Sequence, residues 1–324
     1  MTIASDSAHR SASPMGSLLA AAGFALQVIR RDALVILWFV LLTLAVMSPV
    51  LRDPRHTVLG GQGDNVHYVY MVGWSAQALL MGESPFIDPR LNYPDDLALA
   101  ANDSPYLFFL LVAPITLALG PVAGYNAVIF LSFVLTGYFT YLWARQLTSH
   151  PLAAVVAGTA FMLTPFRIQR SLGHANIVST QIIPLFFWAL DTCVRKRDLR
   201  ESRLWLLGAA TFLLAGSSQY LLVICLVAGG LYALYALLPD IWFIVTRGWR
   251  VAFSVLLGTL FGALPSISVL GGGGFEPYDI GRTRLWSADP INFILPSNLH
   301  PLWGAFFSGL RPEPYAGEKT LYVG

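Results

Sequence analysis

From Tyr220 to Leu238 the chain runs through nineteen residues without a charged side chain. A helix of that length is what crossing a bilayer requires, because the hydrocarbon core is about 30 Å thick and each residue rises about 1.5 Å. Comparable apolar runs occupy residues 33–51, 125–143, 152–166, 177–193, 204–215 and 251–270. Across 324 residues only 12% are charged, where a soluble domain carries roughly 25%. The pattern predicts an all-α polytopic integral membrane protein, with membrane lipids as its surroundings. The net charge of +2 says nothing about nucleic acid, and the lack of a basic, aromatic-interleaved patch argues against it as a partner. Cys193 and Cys225 both fall in apolar segments and give no metal or disulfide signal.

Charge sets the expected topology. Residues 1–32 read as a polar, disordered cytoplasmic N-terminus ending on Arg30 and Arg31, and 33–51 as a retained signal anchor. The strongest basic loop, Arg195-Lys196-Arg197 with Arg200 and Arg203, belongs in the cytoplasm by the positive-inside rule. An even number of crossings must then separate the two, and the runs beginning at 33, 125, 152 and 177 supply them. The remaining apolar run, 106–119, holds Pro114 and is bounded by Pro105 and Gly120-Pro121. It is therefore expected to be a surface or re-entrant segment of one long outer loop, 52–124. Residues 167–176, 216–219 and 271–324 are the other outer pieces. The membrane region is expected to span 33–270. The final residues, 318–324, read as the approach to a further element of a longer protein.

An extracytoplasmic site would have to be built from those outer pieces. The stretch Gly60-Gly61-Gln62-Gly63-Asp64-Asn65-Val66-His67-Tyr68 puts a carboxylate on a glycine-rich turn before a predicted surface helix, 66–81. Asp64 can serve as a helix cap or as a general base, and the two roles are compatible. Asp103 is a second candidate acid, whereas Asp95 and Asp96 suit turn chemistry. Arg167, Arg170, His174 and Asn176 crowd one short outer turn and would suit a phosphate, because arginine forks onto phosphate oxygens. Arg282 and Arg284 form a second such pair. No metal-ligand spacing, P-loop, H-E-x-x-H or G-x-S-x-G motif occurs. No ionisable residue lies in the middle of a predicted span, which argues against ion-coupled transport.

Taken in order, these features resemble the GT-C superfamily of membrane glycosyltransferases, particularly bacterial GT-C-like membrane proteins. The resemblance rests on the acidic turn Gly63-Asp64-Asn65, the stretch from Gly82-Glu83-Ser84-Pro85 to Tyr93-Pro94, and the membrane-skimming run 106–119. It continues with the L-x-A-R-x-L element from Leu142 to Leu147, and with Thr164-Pro165 leading to the polar turn ending at Asn176. It covers roughly residues 30–240 and implies a GT-C-like helical bundle. The implied reaction moves a sugar from a polyprenyl-phosphate carrier to a glycan, lipid or protein acceptor outside the cell membrane. By position, Asp64 matches the first-loop acid of that superfamily. Two departures stand out: Asn65 replaces a second acid, and His174-Ala175-Asn176 holds no carboxylate. Both favour a metal-independent displacement with no cofactor.

Two other functions fit the same residues. A non-catalytic assembly scaffold would show no saturable binding of polyprenyl-phosphate sugars. A lipid or sugar translocator would move its substrate across the membrane without covalent transfer.

Overall fold

The computed structural model describes residues 31–61, 63–91, 94, 97–99 and 103–270, with 280, 281, 284, 287–296, 303–307, 309 and 321 beyond. The expectations for the N-terminal residues, for Asp95 and Asp96, for Arg282 and for most of 271–324 lie outside these residues.

Helix α1 covers residues 31–46 and is followed by a single 3-10 turn, Ser48–Val50. Helix α2, Asp64–Met81, starts two residues before the predicted surface helix and stops at Gly82. There the N–H groups of Gly82 and Glu83 both return to the Ala78 carbonyl, closing the last turn. A two-residue antiparallel ladder, Ile87 opposite Ala98, pins the loop that follows. Beside it the buried Asp88 carboxylate accepts from Arg90 Nε at 3.0 Å and from the Tyr70 hydroxyl. The Arg90 guanidinium in turn lies 4.1 Å over the Trp74 ring.

The apolar run at 106–119 is two helices, α3 (Tyr106–Leu111) and α4 (Ala113–Leu119), separated at Val112. Pro114 has no N–H to continue α3 and sits where a new helix begins. Neither piece, at six and seven residues, reaches across a bilayer.

The bundle proper comprises α5 (Pro121–Thr148), α6 (Pro151–Met162), α7 (Pro165–Arg170), α8 (Ala175–Val178) and α9 (Ile182–Val194). It is completed by α10 (Glu201–Ala215), α11 (Gln219–Leu237) and α12 (Ile241–Leu270). Among the described residues four helices are long and apolar enough to cross a membrane: α5, the combined α8–α9 stretch Ala175–Val194, α11 and α12. That is fewer than the seven runs that hydropathy predicts. Helix α6 is only twelve residues because Pro165 interrupts hydrogen bonding and starts α7. Helix α10 is fifteen residues. Helix α12 extends ten residues before the predicted start, through Arg247 and Arg250, whose charges lower hydropathy without opposing helix formation.

Small residues let the helices meet. A Cβ on Gly258 of α12 would stand 2.3 Å from the Gly208 carbonyl oxygen of α10, so only glycine permits this approach. The far end of α5 is tied by charge. Arg145 lies 3.6 Å from the buried Asp32 of α1, which also accepts from Tyr138 at 3.1 Å. The next residue, Gln146, donates to the buried Asp191 of α9, which is paired with Arg195 at 2.8 Å. The Arg-Gln pair of the L-x-A-R-x-L element thus joins two buried carboxylates on different helices.

Candidate functional site

The glycine-rich turn is built by Asn65. Its buried amide donates to the Leu59 and Gly61 carbonyls at 3.2 and 2.8 Å, and its oxygen accepts from the Gly63 N–H at 3.1 Å. Asp64 opens α2, and no side chain caps that helix end. Asp64 is therefore left out of the turn's hydrogen bonding, with its side chain 68% exposed. Gly60, at φ +81°, lies so close to the Leu172 carbonyl that an added Cβ would stand 2.1 Å from the oxygen. That contact joins the glycine-rich turn to the segment 167–176. Four residues beyond Gly60, Asp64 Oδ2 meets His174 Nε2 at 3.5 Å.

Asp103 gathers a second group of segments. One oxygen accepts from Asn176 Nδ2 at 3.0 Å and from the Ser218 hydroxyl at 2.7 Å. The other accepts from the backbone N–H of Gln219 at 2.6 Å. The Tyr220 N–H also favours its charged form. Asp103 therefore satisfies the first turn of α11 from outside that helix, as an N-cap would from within. Burial pushes its pKa above the ordinary carboxylate value, against the opposing pull of the Ser218, Gln219 and Asn176 donors. A carboxylate so fully engaged holds its neighbouring segments in place.

Of the arginines expected to hold phosphate, the two in the 167–176 turn are both buried. Arg167 is 1% exposed. Its guanidinium donates to the Met162 carbonyl at 3.2 Å, the Val178 carbonyl at 2.7 Å, the Ser132 hydroxyl at 3.2 Å and the Thr180 hydroxyl. It thereby caps the C-terminal ends of α6 and α8 at once, a cation at the negative end of each. Burial pushes its pKa down to about 9, still leaving it charged at neutral pH. These four acceptors engage the guanidinium that the sequence assigns to a phosphate. Arg170 is buried with its guanidinium 5.5 Å from the Phe166 ring, and Arg284 is exposed.

Tyr68 is a member of the site that residue type alone does not mark. It lies one helical turn after Asp64 on the same face of α2, and its ring stands 6.5 Å from Phe109 of α3. Burial raises its pKa, as do the charges of Asp103 and Asp64, so its hydroxyl lies in the field of both carboxylates. Only the i, i+4 spacing from Asp64 could have drawn attention to it.

Among the described residues no group of three or more His, Cys, Asp or Glu side chains could hold a metal. A cavity of about 600 Å³ opens between α10 and α12, lined by apolar groups including Trp205, Phe212 and Phe253. Neither Asp64 nor Asp103 lines it.

No curated protein and no solved structure matches the chain. Residues 33–324 match the family described as a domain of unknown function (DUF6311), and the chain belongs to that family.

Proposed function

We propose that the protein is a multi-pass membrane glycosyltransferase of GT-C type that uses a polyprenyl-phosphate-linked sugar. The acceptor is a glycan, lipid or protein on the extracytoplasmic side of the cell membrane, and the N-terminus is cytoplasmic. The observation that carries this reading is the 3.5 Å contact between Asp64 and His174. It links two segments, 52–124 and 167–176, that charge and hydropathy assign to one side of the membrane. The Asp103 contacts with Asn176 and Ser218 bring the 216–219 turn to the same group.

The reaction is a single displacement. Asp64 takes the proton of the acceptor hydroxyl as that oxygen bonds to the anomeric carbon. The bond from that carbon to the carrier phosphate breaks, and the phosphate leaves with the electron pair. The exposed Asp64 then returns its proton to water. His174 orients the carboxylate, and arginines, with Arg170, Arg282 and Arg284 as candidates, meet the charge that develops on the phosphate.

The test is Asp64→Asn in membranes supplied with polyprenyl-phosphate hexoses. Transfer should fall by about 10²- to 10⁴-fold in a folded protein. Undiminished transfer would sink the assignment.

A further inference from the structure

We propose that the cavity between α10 and α12 binds a phosphatidylethanolamine-type phospholipid, with one tail in the cavity. Its phosphate meets Arg250 and its ammonium meets Glu201, both of which line the cavity. The inference rests on the membrane placement of these helices and does not depend on sugar transfer.

The two helices run parallel and in register. The Ser254 hydroxyl donates to the Leu204 carbonyl at 2.5 Å, across fifty positions. Close approach repeats one turn on, at Gly258 against the Gly208 carbonyl, and again at Gly262 against the Phe212 carbonyl. The same offset sets Glu201 level with Val251, so Glu201 and Arg250 stand at one end of the cavity. Phe212 and Phe261 line the other end. From Glu201 to Phe212 the groove is about 16 Å long, which matches the tail of one leaflet in a hydrocarbon core of about 30 Å. Trp205 and Trp249, 73% and 63% exposed, line the charged end. Aromatic side chains favour that level, between hydrocarbon and headgroups.

Charge selects the headgroup. The arginines of the neighbouring basic loop are taken up by acids. Arg195 pairs with Asp191 at 2.8 Å, Arg197 with Asp240, and Arg200 and Arg203 with Asp198. Among the described residues neither Glu201 nor Arg250 has an ion-pair partner, so both charges are open to a ligand. An arginine forks onto phosphate oxygens. A primary ammonium donates to a carboxylate, as lysine does, whereas a quaternary choline has no N–H to give. A purely anionic headgroup would leave Glu201 unpaired beside a phosphate. One cation and one anion at the end of an apolar groove therefore fit a zwitterionic lipid with free N–H groups.

The experiment uses the full chain, stripped of lipid in detergent. Its probes are dioleoyl phosphatidylethanolamine, phosphatidylcholine and phosphatidylglycerol, with bound lipid counted by native mass spectrometry. Wild type should bind the ethanolamine lipid about fivefold more tightly than either other lipid, the size of a single exposed ion pair. Glu201→Gln should lose that preference while its affinity for the choline lipid is unchanged. Arg250→Gln should weaken all three through the phosphate. Ala209 is exposed and lines the cavity. Ala209→Phe should fill the groove and weaken all three in a protein of unchanged melting temperature. Equal binding of the three lipids by wild type would overturn the proposal, as would a preference that survives in Glu201→Gln. So would lipid binding undiminished in Ala209→Phe. A lipid-free wild type that runs as a dimer, broken by Ala209→Phe, would overturn it by assigning the groove to a second copy.

Discussion

Gly60 and Leu172 touch backbone to backbone, with the glycine in the left-handed region at φ +81° and no room for a Cβ before the Leu172 carbonyl. This one contact sets the spacing between the two segments that present Asp64 and His174. Gly60→Ala should therefore destabilise the protein by about 2 kcal/mol or more, since the left-handed backbone alone costs about 1–2 kcal/mol in any other residue. Gly61→Ala, where a Cβ meets nothing within 4 Å, should leave the melting temperature in detergent nearly unchanged. Equal melting temperatures for the two variants would count against the contact.

Arg167→Lys tests a structural arginine against a phosphate-binding one. A lysine is a single point of charge and cannot fork across the Met162, Val178, Ser132 and Thr180 acceptors. Loss of about 3 kcal/mol or more is expected in the absence of any ligand, because several buried acceptors lose their donors together. Limited proteolysis of the empty protein would show it. A protein as stable as wild type would make Arg167 a substrate ligand again.

Asp103 should give the protein a measurable pH dependence. Burial raises its folded pKa above the ordinary carboxylate value, so the folded state holds the proton more tightly than the unfolded state. Its contribution to stability is present below the unfolded pKa and declines as pH rises through the raised value. Asp103→Asn should flatten that part of the stability profile, measured by thermal melting across the acidic range. An unchanged slope would refute burial of Asp103 as the cause.

Asp88 should behave in the opposite sense. The Arg90 guanidinium is the main cause holding its pKa down at about 2. The stability it confers is present above the ordinary carboxylate value and is lost as pH falls through about 2. Asp88→Asn should remove this acid-sensitive step and loosen the Ile87–Ala98 ladder, as protection of its amides from hydrogen exchange would report.

His174→Gln tests whether the imidazole orients Asp64. Transfer should fall about tenfold or more through kcat, with KM for the sugar donor little changed. A change confined to KM would move His174 from orienting the base to binding the donor.

Much of the architecture is legible because proline and glycine punctuate it. Pro114 divides the 106–119 run, Pro165 ends α6, and Gly82 ends α2. Hydropathy makes helix α12 too short because Arg247 and Arg250 lower it while leaving helix propensity intact. Site roles are less legible, since residue type names a donor or acceptor but not its partner. Arg167 and Ser132 are thirty-five positions apart, and Asp103 and Ser218 more than a hundred. In sequence Asn65 is a departure from an acidic pair, yet in the fold it shapes the turn and leaves Asp64 exposed.

Helix α5 has one more consequence. Its 28 residues make a rod about 42 Å long. Near one end Asn126 donates to the Pro54 and Thr57 carbonyls at 2.9 and 2.8 Å. Near the other, Arg145 and Gln146 reach carboxylates on two separate helices. A rod gripped at both ends cannot roll without breaking one grip, so it transmits torsion like a drive shaft. The carboxylates of Asp32 and Asp191 and the loop that leads to Asp64 are thus anchored to opposite ends of one element.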